Sequence, residues 1–113
     1  MSRSNQAIGI DIGGTKTVVA AVDASGRVHA RANFQTDSER GFSTALAELA
    51  ENVRRVLTEA RWTADGLSGI GIGCAGPVNP VRGTIHNPYT LPGWDGADIV
   101  TPLRDGRILT HPP

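Results

Sequence analysis

The stretch from Ile8 to Val22, I-G-I-D-I-G-G-T-K-T-V-V-A-A-V, constrains this chain more than any other. Ile8, Ile10 and Ile12 alternate with Gly9 and Asp11, and the run from Thr17 to Val22 is rich in valine with no helical polar face, so both sides read as strands. Between them Gly13 and Gly14 read as a two-residue hairpin turn, because glycine reaches φ > 0 at no steric cost and lets a ligand come close to the main chain. Successive N–H groups in such a turn form an anion-binding concavity, with Thr15 and Thr17 as hydroxyl donors and Lys16 as a compact positive charge. Asp11 is acceptor-only at neutral pH and cannot itself hold a phosphate. It suits a magnesium ion, which takes a carboxylate or two together with substrate phosphates. The plainer alternative is a surface hairpin whose Asp11 is merely hydrogen-bonded. Asp two residues before the glycine pair and T-K-T after it favour nucleotide phosphates. The loop is not a Walker A motif, which needs Gly directly before Lys; here Thr15 intervenes.

A length of 113 residues allows one core and is small for a two-lobed enzyme. Eleven basic residues balance eleven acidic ones, which leaves no electrostatic footprint for nucleic acid or an anionic membrane, so neither partner is expected. Cys74 stands alone, which excludes an internal disulfide and fits a buried thiol in a cytoplasmic protein. The polar opening Met1 to Gln6 and a longest apolar run of only Val18 to Val22 argue against a signal peptide or membrane span.

Further along, Asp23-Ala24-Ser25-Gly26 is a turn and Arg27 to Thr36 a third strand, alternating enough to have one wet face and to lie at the outside of a sheet. His29 falls on its polar register, with no neighbour to make it a metal ligand. From Phe42 to Arg61 the period changes: Phe42, Ala45, Leu46, Leu49, Val53, Val56, Leu57 and Ala60 form the stripe of an amphipathic helix that packs on the sheet. Leu67 to Ala75 is a buried strand. Its Gly71, Gly73 and Gly76 spell G-x-G-x-x-G, but Pro77 follows where a dinucleotide loop must open a helix, so the glycines are read as allowing close packing of a ligand or backbone. Thr84 to His86 returns as a short strand, giving a second hairpin. The segment Asn87 to Gly96 is a polar, tryptophan-containing loop suited to a polyhydroxylated ring, or else a proline-stiffened connection. A helix could begin between Ala97 and Leu103.

Three blocks converge: D-I-G-G-T-K-T at Asp11 to Thr17, G-I-G-C-A-G-P-V at Gly71 to Val78, and L-P-G-W at Leu91 to Trp94. In this order and spacing the chain resembles the N-terminal lobe of the ROK family of repressors and sugar kinases, nearest in look to its glucokinase-type members, over residues 7–104. The resemblance implies an α/β fold: a ribonuclease H-like lobe of the actin/hexokinase superfamily, with a mixed sheet whose first three strands are antiparallel and with helices packed on it. It implies transfer of the ATP γ-phosphoryl group to a hexose hydroxyl. By match of position, Asp11, Gly13, Gly14, Thr15, Lys16 and Thr17 surround the phosphates and Mg2+, with Asp11 toward the metal. Gly76 and Pro77 line the sugar cleft together with Thr90, Leu91, Pro92 and Gly93. Thr90 stands where family members commonly carry Asn as a sugar contact.

The family's catalytic Asp lies in an N-D pair beyond the helix that begins near Ala97, and the chain ends before any such pair. The isolated chain is therefore expected to be inactive, with no catalytic residue assigned to it. The zinc-binding motifs and the adenosine-binding second lobe of the family are likewise missing, and residues 105–113 form a tail that departs from the family pattern, as a fragment or a frame break would. With so few residues ahead of Ile8, a DNA-binding head is not expected. The full-length parent would be a candidate homodimer. The alternative reading is a non-catalytic phosphate- or sugar-binding module, or the remnant of a ROK-type regulator.

Overall fold

A computed structural model describes residues 6–74, 78–79 and 84–85. Three strands follow one another as an antiparallel meander: β1 (Gln6–Ile12), β2 (Lys16–Asp23) and β3 (Val28–Gln35). The helix α1 (Phe42–Ala60) crosses back, and β4 (Leu67–Cys74) enters the sheet beside β1 and parallel to it. The sheet order is β3-β2-β1-β4. This is the mixed sheet expected from the sequence, with β3 at its outer edge. Val78–Asn79 (β5) and Thr84–Ile85 (β6) pair antiparallel as the second hairpin.

The two periodicities of the sequence meet in the core. Ile8, Ile10 and Ile12 of β1, Val19 and Ala21 of β2, and Ala30, Ala32 and Phe34 of β3 present one face of the sheet. Ala45, Leu49, Val53, Val56 and Leu57 of α1 cover that face. Burying side chains of this size stabilises the fold by about 1.5–3 kcal/mol each for the larger ones. Phe42, Leu46, Ile70 and Ile72 pack at the margin of the same core. Asn52, outside the apolar stripe, is also buried and donates from Nδ2 to the Glu48 carbonyl at 2.8 Å.

The ends of α1 are set by backbone. Gly41 precedes it with φ 94°, a left-handed value that glycine takes freely. At the other end Arg61 adopts the left-handed conformation, φ 63°, so that its N–H reaches Thr58 O and the Trp62 N–H reaches Leu57 O. Helices end this way most often on glycine; here a side-chain-bearing residue does it. A short 3-10 turn at Ala64–Gly66 then leads into β4.

Candidate phosphate-binding site

Side chains alternate along a strand, so the residues between the buried isoleucines of β1 face the opposite side of the sheet. Asp11 is one of these, and it is exposed. Its register partners are Val18 on β2 and Gly73 on β4. Gly9 pairs with Gly71 and Ala20 on the same face. A Cβ placed on Gly9, Gly69 or Gly71 would meet nothing within 4 Å, so among the described residues this face of small residues lies open beside the carboxylate. Gly71 and Gly73 belong to the body of β4 and not to a turn, which is incompatible with a dinucleotide fingerprint.

The turn after Asp11 differs from the expected two-residue loop. Ile12 pairs with Thr17, and Gly13, Gly14 and Thr15 connect the strands, closed by a hydrogen bond from the Gly13 N–H to Lys16 O at 3.0 Å. Gly13 has no left-handed φ; what requires glycine is close approach. A Cβ there would lie 2.9 Å from the Lys16 carbonyl oxygen, closer than real contacts allow. Among the described residues no hydrogen bond engages the N–H of Gly14 or of Thr15, and the side chains of Thr15 and Lys16 are exposed. The turn therefore offers two free donors, a hydroxyl and an ammonium next to a carboxylate that has no partner among the described residues.

Thr17 behaves differently from the hydroxyl donor expected of it. It is 1 % exposed and its Oγ1 lies 2.8 Å from Thr36 Oγ1, so it points into the fold and away from the open side of the turn. The strand alternation that exposes Lys16 turns Thr17 inward, among Ile12 and Phe34. Thr36 is the residue the sequence did not single out. It is fully buried, donates from Oγ1 to Gly13 O at 2.8 Å, and its N–H donates to Thr15 O at 2.8 Å. A polar residue in phase with Ala32 and Phe34 was the available signal.

Arg40 ties this end of β3 to α1: Nη2 donates to Gln35 O at 3.0 Å and forms an ion pair with Glu48 Oε1 at 2.8 Å.

A second polar cluster lies elsewhere. The β2–β3 register shifts between Ala21, which pairs with Ala30, and Val22, which pairs with Val28, leaving His29 as the extra residue. His29 stays exposed, in phase with Arg31, Asn33 and Gln35 as its polar register indicated, and its ring packs 4.9 Å from that of Trp62. Its Nε2 lies 2.7 Å from Asp23 Oδ2. Asp23 Oδ1 accepts from the Ser25 hydroxyl, the Ser25 N–H and the Arg27 N–H. The Ser25 hydroxyl foremost, and the His29 ring after it, hold the Asp23 carboxyl well below the usual carboxylate range. Among the described residues no three His, Cys, Asp or Glu side chains gather as a metal cage. The expected sugar-side residues Gly76, Pro77, Thr90, Leu91, Pro92 and Gly93 lie outside the described residues, as do the tail and the proposed helix from Ala97. No helix among the described residues is long and apolar enough to cross a membrane.

Comparison with solved structures gives matching folds. A candidate sugar kinase from Cytophaga hutchinsonii matches with a TM-score of 0.66 and 25% identity, over 88% of this chain and 32% of its own. A ROK family glucokinase from Streptomyces griseus, solved with glucose and AMPPNP, matches with a TM-score of 0.64 and 25% identity, over 89% of this chain and 30% of its own. A candidate N-acetylmannosamine kinase from Listeria monocytogenes shares the fold, with a TM-score of 0.64 and 22% identity over 88% of this chain and 31% of its own. The chain thus spans about a third of the length of these structures. No curated protein sequence matches it. The sheet order, the crossing helix α1 and the Asp11 turn are accompanied by a match to the ROK family model across residues 7–107, and the chain belongs to the ROK family.

Proposed function

We propose that this chain is the N-terminal part of an ATP-dependent hexose kinase, the part that receives the terminal phosphates of ATP for transfer to a sugar hydroxyl. One observation carries the reading: Asp11, exposed and without a partner among the described residues, sits one residue before the end of β1, ahead of a turn in which no described residue engages the Gly14 and Thr15 N–H groups and Lys16 is exposed. Phosphoryl transfer asks a protein mainly for positioning and charge stabilisation, and these groups supply both. The Gly14 and Thr15 amides and the Thr15 hydroxyl would donate to phosphate oxygens, Lys16 would offset their charge, and Gly13 would keep the turn tight. Thr17 would support the turn from inside.

The donor set fits Mg2+ held by one protein carboxylate, Asp11, with phosphate oxygens and water completing the shell. When bound, that ion would offset the negative charge of the phosphates held by the turn. Gly76, Pro77 and the segment Thr90 to Gly93 would form the sugar side of the cleft. The glucose and ATP analogue found with the Streptomyces griseus glucokinase support small-molecule partners of this kind. A cytoplasmic location and a homodimeric full-length parent complete the reading.

The general base and the adenosine lobe are not assigned to any residue of this chain, so the chain as it stands is proposed to bind without turnover. The test is calorimetric titration with magnesium ATP alongside an assay of glucose-dependent ATP consumption. Binding that is weakened at least tenfold by Asp11→Asn and by Lys16→Ala, without turnover, is the expected result. Binding indifferent to both changes would overturn the site, and turnover would overturn the absence of a base.

A further inference from the structure

We propose that Thr36 is the positioning residue of the glycine turn, orienting and polarising the Gly14 N–H toward a bound phosphate through a hydroxyl-to-carbonyl relay. The inference rests on the phosphate-binding reading of Asp11 to Lys16 given above.

The direction of the relay follows from counting protons. A threonine hydroxyl has one proton to donate and lone pairs to accept with, whereas a carbonyl only accepts. Thr36 Oγ1 lies 2.8 Å from Gly13 O, so its proton goes there. The contact of 2.8 Å between Thr17 Oγ1 and Thr36 Oγ1 must then be a donation from Thr17 to Thr36. The chain of donors runs one way, from Thr17 through Thr36 to Gly13 O.

Gly13 O and the Gly14 N–H belong to the same peptide unit. Donation into that carbonyl draws electron density from the N–H across the plane and makes it a better donor; linked hydrogen bonds strengthen one another by about 10–30%. The Thr36 N–H makes a parallel contact two peptides on, donating to Thr15 O and so acting on the Lys16 N–H. Thr36, just past the end of β3, therefore holds two turn carbonyls, Gly13 O and Thr15 O, from inside the fold, which fixes the Gly14 amide on the opposite, open side.

Burial argues that the hydroxyl is there for the turn. Thr36 is 0 % and Thr17 1 % exposed, and valine would fill either place with the same shape. Among the described residues the partners of the Thr36 hydroxyl, Thr17 Oγ1 and Gly13 O, both lie on the β1–β2 hairpin. Arg40, bonded to Gln35 O and paired with Glu48, anchors the strand end from which Thr36 acts.

The experiment uses the full chain, isotope-labelled, with magnesium tripolyphosphate as a probe that has neither base nor sugar. Thr36→Ser keeps the relay and is expected to bind within about twofold of the unmodified chain. Thr36→Val removes it and is expected to bind about three- to tenfold more weakly, the effect of one net hydrogen bond. In the ligand-free chain the Gly14 amide proton should move upfield in Thr36→Val and stay in place in Thr36→Ser. Should Thr36→Val fail to fold, Thr17→Val is read instead, with about twofold weaker binding and a smaller upfield move expected. Unchanged affinity together with an unmoved Gly14 amide in the folded valine variant would overturn the positioning role while leaving the phosphate site standing. Failure of the unmodified chain to bind tripolyphosphate would overturn both.

Discussion

Asp11 and Gly73 are register partners on the adjacent parallel strands β1 and β4, and the missing side chain of Gly73 leaves one flank of the carboxylate bare. A Cβ on Gly73 would come no nearer than 3.9 Å to Asp11 Oδ1, an ordinary contact. Gly73→Ala should therefore fold and bind magnesium ATP within about twofold of the parent, since a single methyl fits as ordinary contact. Gly73→Val sets branched methyls against the carboxylate and should weaken binding about tenfold while β propensity holds or raises the melting temperature. Calorimetric titration with thermal melts of both variants checks this.

Gly13 answers to a different constraint. Alanine there would put Cβ 2.9 Å from a main-chain oxygen that cannot swing aside, so Gly13→Ala should lose about 1–3 kcal/mol of stability by overpacking. Gly9→Ala, where the added atom meets nothing, is the matched comparison and should stay within about 0.5 kcal/mol. Urea unfolding of the pair measures the difference.

The left-handed Arg61 at the end of α1 carries a conformational cost of about 1–2 kcal/mol that glycine does not incur. Part of this is returned because glycine has more freedom to lose on folding. Arg61→Gly should stabilise the chain by about 0.5–1 kcal/mol, raising the urea midpoint; a lower midpoint would contradict the helix-end assignment.

Acid should reach the chain through Asp23. Its folded carboxyl titrates below its unfolded value because Ser25, His29 and the Arg27 amide favour the anion. A depressed folded pKa gives stability that is present above the unfolded value, about 3.9 for Asp, and lost as the pH falls through the folded one. The urea midpoint of the unmodified chain should thus drop below about pH 4, and Asp23→Asn should flatten that drop. Midpoints measured between pH 7 and pH 2 for both chains test the sign.

Much of this was legible in the sequence because period and burial agree. The isoleucines of β1 alternate strictly and the α1 stripe recurs at helical spacing, so the hairpin, the helix and the face it covers could be placed residue by residue. What escaped was set by contacts between residues distant in the chain. The need for glycine at 13 comes from Lys16 O, not from a dihedral preference, and Thr15 joins the glycine pair in the connection because β2 begins only at Lys16. Val28, an apolar residue expected on the buried phase of β3, is exposed because the register slips at its partner Val22. Thr17 looked like a ligand donor from its place in T-K-T; only its pairing with Thr36, nineteen positions away, shows it to be internal.

Phosphates and their metal should gather at the bend after Asp11. The most direct measurement is amide broadening in the labelled chain on addition of ATP with Mn2+ in place of Mg2+, since a paramagnetic ion erases signals from its surroundings first. The Gly13, Gly14 and Thr15 amides should fade before all others, and Asp11→Asn should restore them. Fading that starts at the Asp23 and His29 end of the sheet, or that survives Asp11→Asn unchanged, would contradict the account.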